Sequence, residues 1–577
     1  MSKTESRVET LVEKIEGGEL RLPEMQRRYV WRSTRVRDLL DSLYRGYPSG
    51  AILVWETDET VPLQDFAIDQ KANPYQTKHL LLDGQQRLTS LLSVIRGKPV
   101  TVRGRKKPID ILFNLDHPEE LAVVTEVEEE GDGGEDEPDL NEDEQDSSED
   151  ELQQRFNQMA FVVATRKLEQ SPHWVKVSEV FQTASDSTFL RRAGVMNFDD
   201  PRYEKYTKRL ANLRAIKDYV YRIDVLEKSL NYREVTEIFV RVNSLGAKLR
   251  GSDLALAQIT VRWKGALKIF QGYQSACAKA GFDLDLGLHL RNLVAFATGQ
   301  SRFLTVGKLT LEDLQKSWEE AIKGMDFAMN FLRSNAGIES PALLSSPYLL
   351  VSLGYYGHKR NYQLDPAEAE RVKFWVLLAN AKGRYSRGSS ETLLDQDLAI
   401  LRKGGAEELI DRLRQQVGLL AIGPADLEGR NQRSALFKTM FLAFRAGGAK
   451  DWRSNLAISL EHAGVHHHLQ FHHLFPKAVL KSVYSSREAD DIANLAFIGG
   501  KTNRSISDKP PSAYFPDLIA KAGAESFAAQ CIPTTPELLE VPRYKDFLVE
   551  RRRLIVARLN DYLGVAAHIK QSKVISH

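Results

Sequence analysis

The spacing of apolar residues mixes strand-like and helical periods over the first 250 residues. Buried strands are expected at four short apolar runs: 51–55, 79–83, 109–116 and 160–165. Helices are expected at five segments whose apolar residues lie three and four positions apart: 5–16, 34–45, 86–97, 204–222 and 233–240. This alternation predicts an α/β domain in the first part of the chain.

The pattern changes twice further along the chain. Residues 253–455 are overwhelmingly helical, and beyond residue 465 short strands, prolines and clustered histidines replace the helices. A length of 577 residues favours two to four domains. We therefore expect a multidomain α+β protein with three domains, at 1–255, 256–455 and 456–577.

The charge of the chain is unevenly distributed. The net charge is +1, but residues 126–151 hold sixteen Asp or Glu and no Lys or Arg. Removing these sixteen from 78 acidic residues leaves 62 against 79 basic residues, an excess of 17. A positive body suits a polyanionic partner such as DNA, although ordinary solvated basic faces would give the same count. The acidic insert at 126–152 is expected to be disordered, as a solubilising loop or a DNA mimic.

Composition also excludes several classes of protein. The two cysteines, Cys277 and Cys531, are far apart and form no CxxC pair, so neither a thiolate zinc site nor a disulfide framework is expected. The first residues contain no apolar segment of a secretory signal, and no apolar run is long enough to cross a membrane. These features predict a cytoplasmic protein without a membrane partner.

Residues 460–515 carry the strongest chemical signal, in the strings HHHLQFHHLFPKAVL and NLAFIGGKTNRSISDKPPSAYF. Phosphodiester hydrolysis needs a base and a divalent cation. His473 is the candidate base, and its neighbour His472 would face a metal from the other side of an extended strand. Asn494 would orient the region around His473, and Asn503 would donate its amide oxygen to the metal. The alternative is a histidine-rich surface loop, and His466, His467 and His468 are assigned to structure.

A second candidate site follows the apolar run at 79–83. Asp83, Gly84, Gln85, Gln86 and Arg87 lie between an expected strand and an expected helix. A glycine turn and a helix start offer free N–H groups to a phosphate, and an arginine can grip it with two hydrogen bonds. Gln26 and Arg27 lie in an extended segment upstream and could add donors to this pocket. An Asp-Gly turn before a helix is also common without any catalytic role.

These motifs together resemble the Gmr-type modification-dependent restriction endonucleases. The C-terminal pattern is similar to a His-Asn-His (HNH), or ββα-metal, nuclease in His472-His473-Leu474-Phe475-Pro476, Asn494, Asn503 and Lys509-Pro510-Pro511. The N-terminal pattern is similar to that family's ParB/sulfiredoxin-like domain in Pro23, Gln26-Arg27, Asp83–Leu91 and Glu237–Gly246. Asn503 stands where a histidine is more usual. The loop Gly383–Arg387 also fits the family, although it could simply connect two helices.

The resemblance implies a nucleotide-dependent DNA endonuclease of anti-phage restriction, of type IV, with Mg²⁺ or Mn²⁺ at the nuclease site. It implies binding and hydrolysis of GTP, UTP or ATP by Asp83–Arg87, with Gln26, Arg27, Arg241 and Asn243 as weaker candidates. Double-stranded, modified DNA is the expected partner, and a homodimer is left open. Three alternatives remain: a phosphorothioate-sensing nickase that attacks unmodified DNA, a DNA-binding adaptor with an inactive nuclease, and an ungated nuclease toxin.

Overall fold

The computed structural model describes residues 2–26, 29, 31, 33–64, 66, 78–98, 110–119, 156–245, 250–460, 469–566 and 568. The chain forms two compact units. The N-terminal unit comprises Met1–Ile269 with Val306–Lys308, and the C-terminal unit comprises Phe270–Thr305 with Leu309–His577. The acidic insert at 126–152 lies outside the described residues.

A mixed six-stranded sheet forms the centre of the N-terminal unit. Its strands are β1 (Ser2–Arg7), β2 (Leu20–Pro23), β3 (Ile52–Thr57), β4 (Leu63–Gln64), β5 (Lys78–Asp83) and β9 (Val220–Leu226). Their order is β1-β9-β3-β5-β2-β4. The pairs β9–β3 and β5–β2 are parallel, and the other three are antiparallel. Three further strands, β6 (Ile111–Asn114), β7 (Phe161–Val163) and β8 (Trp174–Lys176), form a second, antiparallel sheet.

Helices cover both sheets of this unit. They are α1 (Val8–Glu16), α2 (Ser33–Tyr44), α3 (Gln85–Arg96), α4 (Arg166–Glu169), α5 (Val177–Gln182), α6 (Ser187–Arg192), α7 (Arg202–Arg214), α8 (Tyr232–Leu245) and α9 (Gly251–Arg262). Helix α1 is amphipathic, and it buries Val8, Leu11, Val12 and Ile15 in the core.

Two of the helix predictions were too long. Residues 5–7 belong to β1 rather than to the first helix, and residues 220–222 belong to β9 rather than to the helix expected at 204–222. The two misassigned segments pair with each other, with Arg7 opposite Val220 and Glu5 opposite Arg222. Pairing between residues more than 200 positions apart overrides the local preference for helix, which is a weak one.

The C-terminal unit is mainly helical, as the sequence predicts. Helix α10 (Ala266–Lys279) begins in the N-terminal unit and continues into this one. The next helices are α11 (Leu286–Thr298), α12 (Leu311–Ala336), α13 (Tyr348–Lys359), α14 (Pro366–Ala381), α15 (Ser390–Leu401), α16 (Ala406–Val417), α17 (Pro424–Leu427) and α18 (Ala435–Ala446). Most begin at a capping side chain; Thr310 and Asp313, for example, form a capping box at the start of α12.

A two-stranded hairpin interrupts the helices near the end of the chain. It consists of β10 (Leu469–His473) and β11 (Leu495–Gly499), separated by the short helices α19 (Lys477–Leu480) and α20 (Ser486–Ala489). Helix α21 (Gly500–Ile506) follows β11 directly, and the unit ends with α22 (Pro511–Ala522), α23 (Ala524–Ala528) and α24 (Tyr544–Leu563).

The hairpin shares one hydrophobic core with the helices before it. Phe437 of α18 lies 4.9 Å, between ring centroids, from both Phe471 of β10 and Phe497 of β11. The boundary at residue 455 therefore stays a prediction about independent folding. The structure confirms a multidomain α+β protein with a mixed sheet near the N-terminus and a helical middle. The ParB/sulfiredoxin and HNH fold assignments remain predictions.

Among the described residues, no helix is both long and apolar enough to cross a membrane.

Candidate functional site

The C-terminal candidate site is built on β10, β11 and α21, in that order along the chain. In the antiparallel register, His472 lies opposite Ala496 and His473 opposite Leu495. Successive side chains of a strand point to opposite faces, so the two imidazoles separate. His472 is 3% exposed, whereas the His473 side chain is 26% exposed. One imidazole is therefore enclosed and the other can reach solvent.

Each ring nitrogen of His472 has a hydrogen-bond partner. His472 Nε2 lies 3.0 Å from the Tyr514 hydroxyl, which also lies 2.9 Å from the Leu474 carbonyl. Burial lowers the pKa of His472 to about 4, which keeps the ring neutral near pH 7. A neutral imidazole holds one proton, so one of its nitrogens donates and the other has a lone pair.

Asn503 is the hydrogen-bond partner of His472 Nδ1. Asn503 Nδ2 donates to Gln470 Oε1 at 2.8 Å, which turns Oδ1 toward His472 Nδ1 at 2.9 Å. Two neighbouring ligands of an octahedral Mg²⁺, each at about 2.1 Å, lie about 3 Å apart. With its proton on Nε2, His472 would therefore offer Nδ1 beside Asn503 Oδ1 at the separation of two neighbouring ligands of a divalent cation.

The candidate metal site depends on one imidazole and one amide. Among the described residues, no group of three or more His, Cys, Asp or Glu side chains could hold a metal ion. His466, His467 and His468 lie outside the described residues. Mg²⁺ commonly keeps several waters and takes substrate phosphate oxygens as ligands. Two protein ligands are therefore compatible with an ion that acts on a phosphodiester.

Asn494 links three segments of backbone. It ends the 3₁₀ turn Ile492–Asn494 just before β11 and is fully buried. Its Oδ1 accepts from the Phe475 N–H at 2.9 Å, and its Nδ2 donates to the carbonyls of Phe475 and Ala489 at 3.0 and 2.9 Å. The structure thus brings Asn494 to the chain two residues beyond His473, where it contacts backbone groups.

His473 has a carboxylate partner. Its Nε2 lies 2.9 Å from Asp490 Oδ1, and Lys477 Nζ donates to Asp490 Oδ2 at 2.7 Å. Asp490 follows α20 in the segment that connects the two strands. The sequence analysis did not identify this partner, because a single aspartate seventeen residues after His473 has no distinctive spacing.

Two more buried residues that the sequence analysis missed hold β11 and α21 in place. Asp451 accepts from the Gly499 N–H at 2.9 Å and from the Thr502 hydroxyl at 2.8 Å, which fixes the junction of β11 and α21. The fully buried Arg551 donates to the carbonyls of Ala493 and Leu495 at 2.8 and 2.7 Å. Both residues are about 50 positions from their partners, so no local motif reveals them.

In the N-terminal candidate site, Arg87 ties three segments together. Its guanidinium donates to the carbonyls of Ser49 and Ala51 at 2.5 and 2.8 Å and to Asp83 Oδ2 at 3.0 Å. Asp83 ends β5, and Gly84 caps α3 with a left-handed backbone at φ 99°. A phosphate that binds Arg87 would have to replace one or more of these carbonyl and carboxylate acceptors at the guanidinium.

The other predicted nucleotide residues gather at the same end of β5. Gln26 Nε2 donates to the Leu81 carbonyl, and Gln86 Oε1 accepts from the Trp31 N–H at 3.2 Å. Gln85 is buried in the first turn of α3. The structure therefore places Gln26 against β5, two residues before Asp83, and the role of these residues in nucleotide binding stays a prediction. Arg27 and the side chain of Asn243 lie outside the described residues.

Replacing Gly84 with alanine is expected to destabilise the protein. A Cβ at Gly84 would lie 2.4 Å from Ile52 Cδ1, on a backbone that disfavours any L side chain. Gly46 is the control, because its φ is also positive, at 73°, but nothing lies within 4 Å of its Cβ position. Gly84→Ala should cost about 1–3 kcal/mol more than Gly46→Ala in urea unfolding, through overpacking. Equal losses in the two variants would contradict the close packing at Ile52.

The loop Gly383–Arg387 is largely internal. The side chains of Arg384 and Asp397 are both 1% exposed and form an ion pair of 2.7 Å, and the Tyr385 hydroxyl donates to Asp397 at 2.8 Å. Arg387 is exposed, and its Nε donates to the Lys382 carbonyl at 2.8 Å. Arg384 and Tyr385 therefore connect helices, and Arg387 is the member of the loop that can reach a ligand.

Comparison with known proteins gives a match in the first half of the chain. Residues 8–260 match the family model for the N-terminal domain of the GmrSD restriction endonucleases. The match covers less than half of the chain and supports its relationship to GmrSD-like restriction endonucleases. This class of protein is an enzyme that acts on DNA. The uncharacterized protein MJ0686 of Methanocaldococcus jannaschii is 24% identical over 544 residues, 88% of this chain and 86% of that protein.

Proposed function

We propose that this protein is a nucleotide-dependent DNA endonuclease of a bacterial or archaeal restriction system that responds to modified DNA. The observation that supports the proposal is the hairpin and helix on which His473, the hydrogen-bonded pair His472 and Asn503, and Asn494 lie. The match to the GmrSD N-terminal domain independently suggests a restriction nuclease that acts on modified DNA.

His473 is the proposed general base, and the His472–Asn503 pair is the proposed metal site. The His473 side chain is partly exposed, so it can accept a proton from a water molecule at a phosphodiester. His472 Nδ1 and Asn503 Oδ1 would hold Mg²⁺ or Mn²⁺. When bound, such an ion supplies a Lewis acid for the charge that develops on phosphate oxygens. Asn494 keeps the backbone after His473 in place.

The N-terminal unit is the proposed nucleotide site. The start of α3 would meet the phosphates, with Gln26 and Gln86 beside them. Asp83, whose side chain is 42% exposed, would hold a metal or orient water there. We propose that GTP, UTP or ATP binds and is hydrolysed there. Because Arg87 holds the backbone at Ser49 and Ala51, its capture by a phosphate would release that loop.

The proposal is tested by supplying each component separately. The wild-type protein, His473→Ala and Asp83→Ala are incubated with plain or modified plasmid, with Mg²⁺ or EDTA, and with or without a triphosphate mixture. Plasmid nicking and phosphate release are followed together. We expect His473→Ala to lose nicking alone and Asp83→Ala to lose phosphate release. The modified plasmid should be cut only with both Mg²⁺ and triphosphate.

The same assay separates the alternatives. Cutting of unmodified plasmid alone, triggered by phosphorothioate DNA, would indicate the phosphorothioate-sensing nickase. Cutting of every plasmid without triphosphate would indicate an ungated toxin. Tight DNA binding without cutting under any condition would indicate an adaptor and would overturn the proposed activity.

The metal site makes a prediction that does not depend on cutting. With a metal on Nδ1 the His472 proton would lie on Nε2, and Tyr514→Phe removes the acceptor of that proton. We expect Mn²⁺ affinity in calorimetry to fall about 10- to 100-fold, the usual effect of losing a partner of a metal-bound histidine. Tyr562→Phe is the control, because that hydroxyl donates to the Ala336 carbonyl at 3.2 Å in the same unit. Unchanged affinity in both Tyr514→Phe and Asn503→Ala would rule out this pair as the metal site.

A further inference from the structure

The carboxylate of Asp490 lies between two hydrogen-bond donors, the imidazole of His473 and the ammonium group of Lys477. Its Oδ1 faces His473 Nε2 at 2.9 Å, and its Oδ2 accepts from Lys477 Nζ at 2.7 Å. The three side chains are 30%, 26% and 42% exposed, in the order Asp490, His473 and Lys477. Each oxygen of the carboxylate thus has its own partner at the mouth of the site.

This arrangement determines where the proton of His473 lies. Burial alone would raise the pKa of Asp490, but hydrogen bonds from His473 and Lys477 hold that pKa below its usual range. An ionised carboxylate only accepts hydrogen bonds, so the proton of a neutral His473 sits on Nε2. No described residue hydrogen-bonds to His473 Nδ1, so its lone pair is available.

Asn494 holds both the backbone before Asp490 and the backbone after His473. Asn494 binds both backbone groups of Phe475, two residues after His473, and the carbonyl of Ala489, one residue before Asp490. On the other side of Asp490, Asp491 accepts from the N–H groups of Ala493 and Gly429 at 2.8 and 3.1 Å. The distance between His473 and Asp490 is therefore set by buried hydrogen bonds.

We propose that Asp490 is the positioning residue of the base His473, keeping the proton on Nε2 and Nδ1 toward the reacting water, and that Asn494 acts by fixing this pair. The inference rests on the proposed function only for the role of Nδ1 as a base; the tautomer itself can be measured without DNA. Lys477 supports this arrangement, because it binds one oxygen of Asp490 and leaves the other for His473.

Lys477 makes the test specific. In Asp490→Asn, Lys477 would attract the amide oxygen and leave the NH₂ group facing His473 Nε2. That nitrogen would then accept, the proton would move to Nδ1, and the base would be lost. Adding Lys477→Met removes the competing cation, so the amide oxygen can turn back to Nε2–H. A purely structural role of Asp490 does not predict that a second substitution restores activity.

The experiment combines kinetics with ¹⁵N NMR of the full chain labelled on histidine. The His473 signal is assigned by its absence in His473→Gln. For Asp490→Asn we expect the proton to move to Nδ1 and kcat to fall about 10²- to 10⁴-fold, the usual contribution of a general base. KM for DNA should stay within about 2-fold of the wild-type value, since the substitution does not change how the ground state of the DNA is bound. Asp490→Asn with Lys477→Met should recover most of kcat and the Nε2–H tautomer. Asp546→Asn is the control, since Asp546 pairs with Arg543 at an exposed site.

Each result decides the matter. A wild-type His473 protonated on Nδ1, or an Asp490→Asn variant with unchanged tautomer and kcat, would overturn the positioning role. Loss of kcat without rescue by Lys477→Met, at an unchanged tautomer, would also overturn it. If the wild type cuts no DNA but the tautomer shifts as expected, the proposed nuclease function fails while the positioning of His473 by Asp490 stands.

Discussion

Replacing His473 with alanine is expected to lower the rate of DNA cutting by about 10²- to 10⁴-fold, the usual contribution of a general base. Its imidazole is the one in the hairpin that is partly exposed and has an available ring nitrogen among the described contacts. The substitution should leave the fold intact, because the side chain lies outside the buried core. The nicking rate at saturating protein measures the loss.

His173→Ala is the matched control for this variant. His173 lies in the N-terminal unit, where its Nδ1 is 3.3 Å from the Ser171 hydroxyl, and it should tolerate the same change without loss of cutting. Mn²⁺ affinity of His473→Ala should remain close to wild type, since the proposed ligands are His472 and Asn503. Undiminished cutting by His473→Ala would place the base elsewhere.

Replacing Asp397 with alanine is expected to destabilise the C-terminal unit by about 3–5 kcal/mol, the cost of leaving a buried charge without its partner. Arg384 is enclosed with Asp397, and it gives Asp397 two hydrogen bonds, at 3.1 and 2.7 Å. Tyr385 would lose the acceptor of its hydroxyl as well. The midpoint of urea unfolding should therefore fall markedly.

The control for this loss is Asp411→Ala. Asp411 pairs with Arg414 at 2.5 Å on α16, but the two side chains are 52% and 45% exposed. An exposed pair of this kind contributes about 0–1 kcal/mol. Similar small effects of the two substitutions would show that Arg384 finds another acceptor or reaches water when Asp397 is removed.

The structure gives Arg87 a second role besides the predicted one. The sequence predicts that Arg87 is a phosphate ligand, since an arginine follows a glycine at a helix start. In the structure its guanidinium also fastens the backbone at Ser49 and Ala51. A phosphate that binds Arg87 would then release this loop in the same step. Which state forms would depend on whether the phosphate or the two backbone carbonyls bind the guanidinium more strongly.

Local patterns were sufficient where the decisive interactions are local. Strand β5, the turn at Gly84 and helix α3 were predicted nearly to the residue, because one short apolar run, one glycine and one amphipathic repeat specify them. The prediction failed at residues 5–7 and 220–222, where strand pairing joins the two ends of the domain. The boundary at residue 455 stays a prediction, and α18 and the hairpin on either side of it share one hydrophobic core.

The sequence alone determined which residue types are available and in what order. It identified His472, His473, Asn494 and Asn503, and it predicted an extended strand at the two histidines, because residue type and periodicity can be read from the chain alone. The tertiary structure decided which imidazole is buried, which partner each nitrogen meets, and how Asp490, Tyr514 and Asp451 complete the site. Those properties depend on burial and on hydrogen bonds between distant segments, which strand alternation and spacing do not specify.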